Sequence, residues 1–299
     1  MKLLKIASAL AFTALAASAQ AAIIPSFSYF SDGGFINSPF PVFPIASSCV
    51  NGAGNPITNA QCNLTFGTNN VVVPVGGSAA VGGFLDGQQT HLSVAWGTPS
   101  VQPGSNPLAE QSSLNVVHNA GNVITNGGWA LIDTFTHINR VIQLTQVANS
   151  TVGYMNSTPV YGGFHFTAPI MADIVGTSPL FFLETTNVNP SGCLQTPNPL
   201  GTVCDDLYTT APLDGDTVFN IGGQDYLLQF RFRAVSNAII LDLNPMDPFV
   251  NIFCGETNDC QIVTEVRVSA IPEPGALALV GLSLAGLAVI RRRKSQAAA

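Results

Sequence analysis

The 299-residue sequence predicts an all-β fold, a two-sheet antiparallel sandwich of jelly-roll-like form, from three observations. Between its two ends the chain is rich in Gly, Pro, Asn, Thr, Val and Phe, and poor in the charged helix formers that line solvent faces of helices. Apolar and polar residues alternate with period two in several stretches. Those stretches are short and separated by Gly, Pro and Asn turns, which favours a sandwich over a barrel.

The clearest strand is Tyr226 to Arg233, where Tyr226, Leu228, Phe230 and Phe232 share one face and Gln229, Arg231 and Arg233 lie on the other. Thr217 to Ile221 precedes it, and Gly222-Gly223 supplies the positive φ that a tight hairpin needs. Further strands are expected at 90–96, 112–118, 129–137, 141–147, 164–168, 180–185, 237–243 and 261–269. Residues 25–60 carry Pro, Ser, Gly and Asn with little periodicity, and read as a loop-rich lead-in packed on the sandwich. No repeat of fixed period is visible, which argues against solenoids and propellers. The expected organisation is a signal peptide at 1–21, a lead-in with first strands at 22–89, a β-sandwich at 90–270 and a sorting tail at 271–295.

The first 21 residues have the order of a secretory signal: Lys2 and Lys5, an uncharged run from Ile6, then Ala19-Gln20-Ala21 as a small-x-small cleavage site. The run is too short and alanine-rich for a membrane anchor. At the other end, residues 275–290 are uncharged and are followed by Arg291, Arg292, Arg293 and Lys294. As a helix that run spans about 24 Å, slightly less than a hydrocarbon core, and the arginines can snorkel to cover the difference. The basic cluster stays cytoplasmic, which puts the preceding chain on the outer side of the plasma membrane.

Pro272-Glu273-Pro274, the apolar run and Arg291 to Lys294 together resemble the PEP-CTERM sorting signal. That resemblance implies an exported Gram-negative envelope protein and a membrane-tethered intermediate. It also implies an exosortase-type protease as partner, and delivery to the cell surface or exopolysaccharide matrix.

Without its two ends the chain keeps no lysine, four arginines (Arg140, Arg231, Arg233, Arg267) and 16 acids, a net charge of about −12. Such a surface repels phosphate backbones, so nucleic acid is excluded as a partner. All six cysteines lie in this exported part, where an even count points to disulfides. Six cysteines allow 15 pairings. The close sequence pairs suggest Cys49–Cys62, Cys193–Cys204 and Cys254–Cys260.

No catalytic signature is present: His91, His118, His137 and His165 are scattered, and nucleophile elbows, phosphate loops and dinucleotide fingerprints are absent. The densest pattern runs from Trp129 to Asn139, where Asp133, Phe135, His137 and Asn139 share a strand face. That row can bind a metal or a sugar, or can knit a strand end to its turn. Asp205-Asp206, Asp214-Gly215-Asp216 and the acids near Asp242 and Glu256 offer oxygen ligands for Ca²⁺, the one cofactor considered, and read equally as solvated loop acids.

Thr136, His137 and Asn139 resemble the signature of the THxN family of PEP-CTERM proteins. Trp96-Gly97, Ser112-Ser113-Leu114, and Glu184 to Asn187 leading to Cys193, Cys204, Asp205 and Asp206 have similar texture. The resemblance implies an exported β-rich domain of unassigned activity. A non-enzymatic matrix or surface protein is therefore the leading expectation. The alternatives are a carbohydrate-binding module using Tyr154, Tyr161, Trp96 and Trp129, and a glycan-active enzyme with paired carboxylates.

Overall fold

The structure is a computed structural model that describes residues 22–37, 46–71, 80–81, 84–85, 89–99, 111–140, 142, 150, 152–185, 198–201, 205–211, 216–241, 249–255 and 259–272. The chain enters through β1 (Ser26–Phe35) and passes through short segments: β2 (Ser48–Asn51), β3 (Pro56–Ile57), β4 (Thr65–Phe66), β5 (Asn69–Val71), β6 (Ala80–Val81), β7 (Phe84–Leu85) and β8 (Gln89–His91). Next come β9 (Ser93–Trp96), β10 (Ser112–His118), β11 (Ala120–Ile124) and β12 (Ala130–Ile138), then the long β13 (Gly153–Ala168) and β14 (Ala172–Leu183). The last six are β15 (Asp206–Thr210), β16 (Thr217–Ile221), β17 (Gln224–Ser236), β18 (Ala238–Leu241), β19 (Val250–Cys254) and β20 (Cys260–Ala270).

These strands form two main sheets with antiparallel neighbours, as expected of the fold class. The larger has 11 strands on the path β18-β19-β15-β14-β13-β1-β8-β5, with β11, β2 and β3 attached beside it. The smaller has seven, in the order β16-β17-β20-β12-β10-β9-β4, and β6 pairs with β7 apart from both. The expected terminal helix at 275–290 lies outside the described residues, as do the signal peptide, the membrane-stop arginines and most of the strand expected at 141–147. Among the described residues no helix is long and apolar enough to cross a membrane.

The inward faces of the two sheets share two apolar clusters. One packs Phe35, Tyr154, Phe182 and Ile252 of the larger sheet against Val94, Trp96, Leu114 and Val116 of the smaller. The other packs Phe27, Phe164 and Phe166 against Ile132, Tyr226, Leu228 and Val266. Tyr226 and Leu228, the first two apolar positions of the alternating stretch, are fully buried, and Phe230 and Phe232 are half-buried. Burying each such side chain stabilises the fold by roughly 1.5–3 kcal/mol. Phe27 meets Tyr226 nearly edge-on at 5.3 Å, one of several aromatic contacts that join the sheets.

Residues 26–35 differ from the lead-in expected there. β1 is an inner strand of the larger sheet, paired with β13 over eight positions and with β11 over five. Its outer half alternates, with Phe27 and Tyr29 buried, but its inner half is Asp32-Gly33-Gly34 and hides the strand period. Glycine is required at Gly33: φ is +125°, and a Cβ there would overlap the Tyr161 backbone carbonyl of β13. Gly33 faces Gly162, which in turn faces Gly176, so three neighbouring strands approach through a row without side chains.

Two of the three expected disulfides, Cys49–Cys62 and Cys254–Cys260, are present; Cys193 and Cys204 lie outside the described residues. The second bridge joins β19 of the larger sheet to β20 of the smaller, with the two Cα atoms 5.5 Å apart. On the loop-entropy argument a closure this short stabilises by about 2 kcal/mol.

Gly33→Ala is expected to lower unfolding free energy by about 2 kcal/mol or more, because positive φ and backbone overlap act together. Urea unfolding followed by tryptophan fluorescence measures it; an unchanged midpoint would contradict the close strand approach.

Candidate functional site

Between the sheets lies a largely apolar cleft of about 420 Å³ with a polar cluster toward each side. Asp133, Phe135 and His137 of β12 line it, as period two places them, and so does Ile132, at a register shift in the ladder with β20. The row does not act as one site, however, because Asp133 serves one cluster while His137 and Asn139 serve the other.

The first cluster gathers acids and histidines from five strands. His165 on β13 is buried, with Nε2 2.9 Å from Asp32 Oδ1 on β1 and Nδ1 2.6 Å from Asp173 Oδ1 on β14. Both ring nitrogens face carboxylates, so the ring is held as a doubly donating imidazolium, with Phe30 stacked on it at 4.6 Å. Burial alone would lower its pKa; the two aspartates outweigh burial and raise it. His118 on β10 contacts Asp133 Oδ1 at 2.8 Å, and there too the carboxylate overcomes burial and raises the pKa. Gly163 leaves the space that the His165–Asp32 contact fills, since a Cβ there would overlap both side chains.

Ser31 brings a serine, a histidine and an aspartate together, but in the wrong order for a nucleophile. Its Oγ lies 2.7 Å from Asp133 Oδ1, the oxygen that also faces His118. In an acyl-transfer triad the serine bonds the imidazole and the acid bonds its far side. This hydroxyl instead bonds the acid.

The second cluster assembles the short motifs that the sequence scatters over more than a hundred residues. Trp96, at the end of β9, donates from Nε1 to Glu184 Oε2 at 2.8 Å, just past β14. Asn139, just past β12, donates from Nδ2 to Asp206 Oδ2 at 2.9 Å. The backbone N–H and hydroxyl of Thr185 donate to Asp206 Oδ1 at 2.9 and 3.1 Å. Ser112 and Arg140 tie the end of β10 to the same corner, the Arg140 N–H donating to Ser112 Oγ at 3.2 Å. Thr136 is half-buried on the opposite face of β12 and stays out of the cluster.

His137 sits inside this cluster, stacked on Trp96 at 5.9 Å with Phe182 and Tyr208 edge-on. Only 2% of it is exposed, and neither ring nitrogen has a hydrogen-bond partner. Burial, and secondarily the nearby positive Arg140, push its pKa down to about 3, so the ring is neutral. One donor atom each from His137, Glu184 and Asp206 falls within 4.8 Å of the others, the group among the described residues that can hold a metal ion.

Asp205 and Asp206 are fully buried and are not the solvated turn acids of a Ca²⁺ loop. Asp205 accepts the Leu200 N–H at 2.7 Å, whereas the exposed Asp216 accepts from Gln229 at 3.0 Å; Asp214 lies outside the described residues. The aromatic sugar platform is also corrected: Tyr154, Tyr161 and Trp96 are buried, as core packing demands of rings on inward strand positions. Trp129 is half-buried, and its face is covered by Arg231 and Arg267 at 4.2 and 4.8 Å from the ring centre. All four arginines of the exported part are engaged: Arg231 and Arg233 on Glu265, Arg140 on Asp259, and Arg267 on Gln229 and Trp129.

The family model described as the PEP-CTERM protein-sorting motif matches residues 270–294. This is the type of tail by which an exosortase sorts a protein to the cell surface, and the two disulfides fit a location outside the cytoplasm. No curated protein matches the chain.

The raised histidines set a pH dependence. A histidine whose folded pKa lies above its unfolded value contributes stability that is complete below about pH 6.5 and is lost as pH rises through the folded value. Melting temperature is therefore expected to fall on going from about pH 6 to about pH 9, and His165→Gln to flatten that slope. A wild-type profile already flat over this range would contradict the Asp32–His165–Asp173 assignment.

Proposed function

We propose that this chain is a non-enzymatic structural or adhesive protein of the cell surface or exopolysaccharide matrix, exported through its signal peptide and handed over by an exosortase-type protease. The observation that carries the reading is the junction between folded body and sorting motif. β20 ends at Ala270, and the matched motif covers 270–294. Ile271 is still pinned, donating to Asp225 O at 2.8 Å and accepting from Gln224 Nε2 at 2.7 Å. The described sandwich is thus complete before the Pro272-Glu273-Pro274 signal begins, so the tail can be removed without dismantling a sheet.

Three features support a non-catalytic body. The Ser31 hydroxyl is directed at Asp133 rather than at an imidazole. His165 is locked between two carboxylates at 0% exposure, which leaves no lone pair to act as a base. The arginines are tied into the fold, so the exported surface is anionic and suits a soluble matrix component. The same reading makes the chain a THxN-type PEP-CTERM protein, supported by the meeting of Trp96, His137, Asn139, Glu184 and Asp206 in one cluster. A membrane-tethered intermediate held by residues 275–290 and Arg291 to Lys294 precedes processing.

Deletion of residues 271–299 is expected to move the protein from the cell surface to the periplasm or medium while its circular dichroism stays that of an all-β fold. Antibody labelling of intact cells reads the change. Undiminished surface labelling of the truncated chain would refute the role given to the tail.

A further inference from the structure

We propose that His137, Glu184 and Asp206 form an internal site for one divalent cation of the zinc class, which joins the two sheets from within. The donors come from both layers: His137 from β12 of the smaller sheet, Asp206 from β15 of the larger, and Glu184 from just past β14. His137 Nδ1 and Asp206 Oδ2 are already 3.9 Å apart, and a modest closing movement brings each within the roughly 2.0–2.2 Å that zinc takes with nitrogen and carboxylate ligands.

Two independent observations point to a ligand. A neutral imidazole at 2% exposure with neither nitrogen hydrogen-bonded is costly to bury, and a metal bond uses its lone pair. The carboxylates are also oriented as metal ligands are, by outer partners that fix each oxygen: the Trp96 indole N–H on Glu184, and the Asn139 amide and Thr185 on Asp206. The donor set selects the ion. Ca²⁺ requires six to eight oxygens, whereas one imidazole nitrogen with two carboxylates suits zinc and its first-row neighbours. Trp96, Phe182 and Tyr208 pack around the imidazole, and the three protein donors leave zinc's fourth position to a water from the cleft.

The position in the ladders explains why the site lies here. His137 is the register partner of Cys260, and Asp206 is the register partner of Cys254. The Cys254–Cys260 bridge and the proposed ion therefore occupy adjacent places on one rung, each crossing the same gap between sheets. This inference does not depend on how the chain is sorted.

The test uses the full chain purified in detergent, stripped with a chelator and titrated with Zn²⁺. About one equivalent is expected to bind, and at a hundredfold excess over Kd the melting temperature should rise by about 5–10 °C. His137→Phe keeps an aromatic ring against Trp96 and Phe182, and Glu184→Gln keeps the side-chain shape; each is expected to abolish the Zn²⁺-dependent rise while the near-ultraviolet circular dichroism of the folded chain persists. A wild-type chain with no stoichiometric zinc and no thermal response overturns the proposal. A folded His137→Phe chain with the wild-type response overturns it equally.

Discussion

The fold depends on one rung where the two sheets are tied together. Sandwich layers adhere through nondirectional apolar contact, which tolerates sliding of one sheet over the other. At the β19 and β20 ends that freedom is removed, because Cys254 and Cys260 bridge the layers next to His137 and Asp206. Glu184 and Asp206, both fully buried, are accommodated there by the Trp96, Asn139 and Thr185 donors. At the opposite end the sheets adhere through Phe27, Phe166, Tyr226 and their aromatic neighbours. The covalent restraint thus sits at one end of the sandwich and the Phe27 aromatic cluster at the other, with the cleft and its two polar clusters between.

Strands were legible where side chains alternate. The Tyr226 to Arg233 pattern marks β17, Gly222-Gly223 is its hairpin turn with positive φ at both residues, and residues 112–118 coincide with β10. Strands failed to show where glycine and proline occupy their interiors. β13 contains Pro159, Gly162 and Gly163, and β14 contains Gly176 and Pro179, so only the apolar ends of each read as strand. In the fold Pro159 faces Pro179 and Gly162 faces both Gly33 and Gly176, so residues that look like turns are matched across the ladder. Such complementarity between distant segments has no local signal.

The candidate site was half legible for a similar reason. His137 and Asn139 stood out because they follow one another on a strand and its exit. Their partners did not, since Trp96 and Glu184 are 88 residues apart and on opposite sheets before the indole and carboxylate meet. Asp205 and Asp206 read as a solvated turn because two adjacent acids in a Gly, Pro and Asn region usually are; the bonds from Leu200 and Thr185 that bury them come from outside that window. The His165 cluster had no sequence signature, as Asp32, His165 and Asp173 share no spacing.

The place of β20 has a consequence for the order in which the molecule is made. β20 is the last of the described strands, yet it lies inside the smaller sheet, with β17 on one edge and β12 on the other. A chain that crosses a membrane amino end first leaves one edge of each flanking strand unpaired until Cys260 to Ala270 emerge. Unpaired edges are what neighbouring chains pair with, so the interval before that arrival is when mispairing threatens. Closure of the smaller sheet therefore waits on its last described strand, and the sheet is whole only once Cys260 to Ala270 lies between β17 and β12.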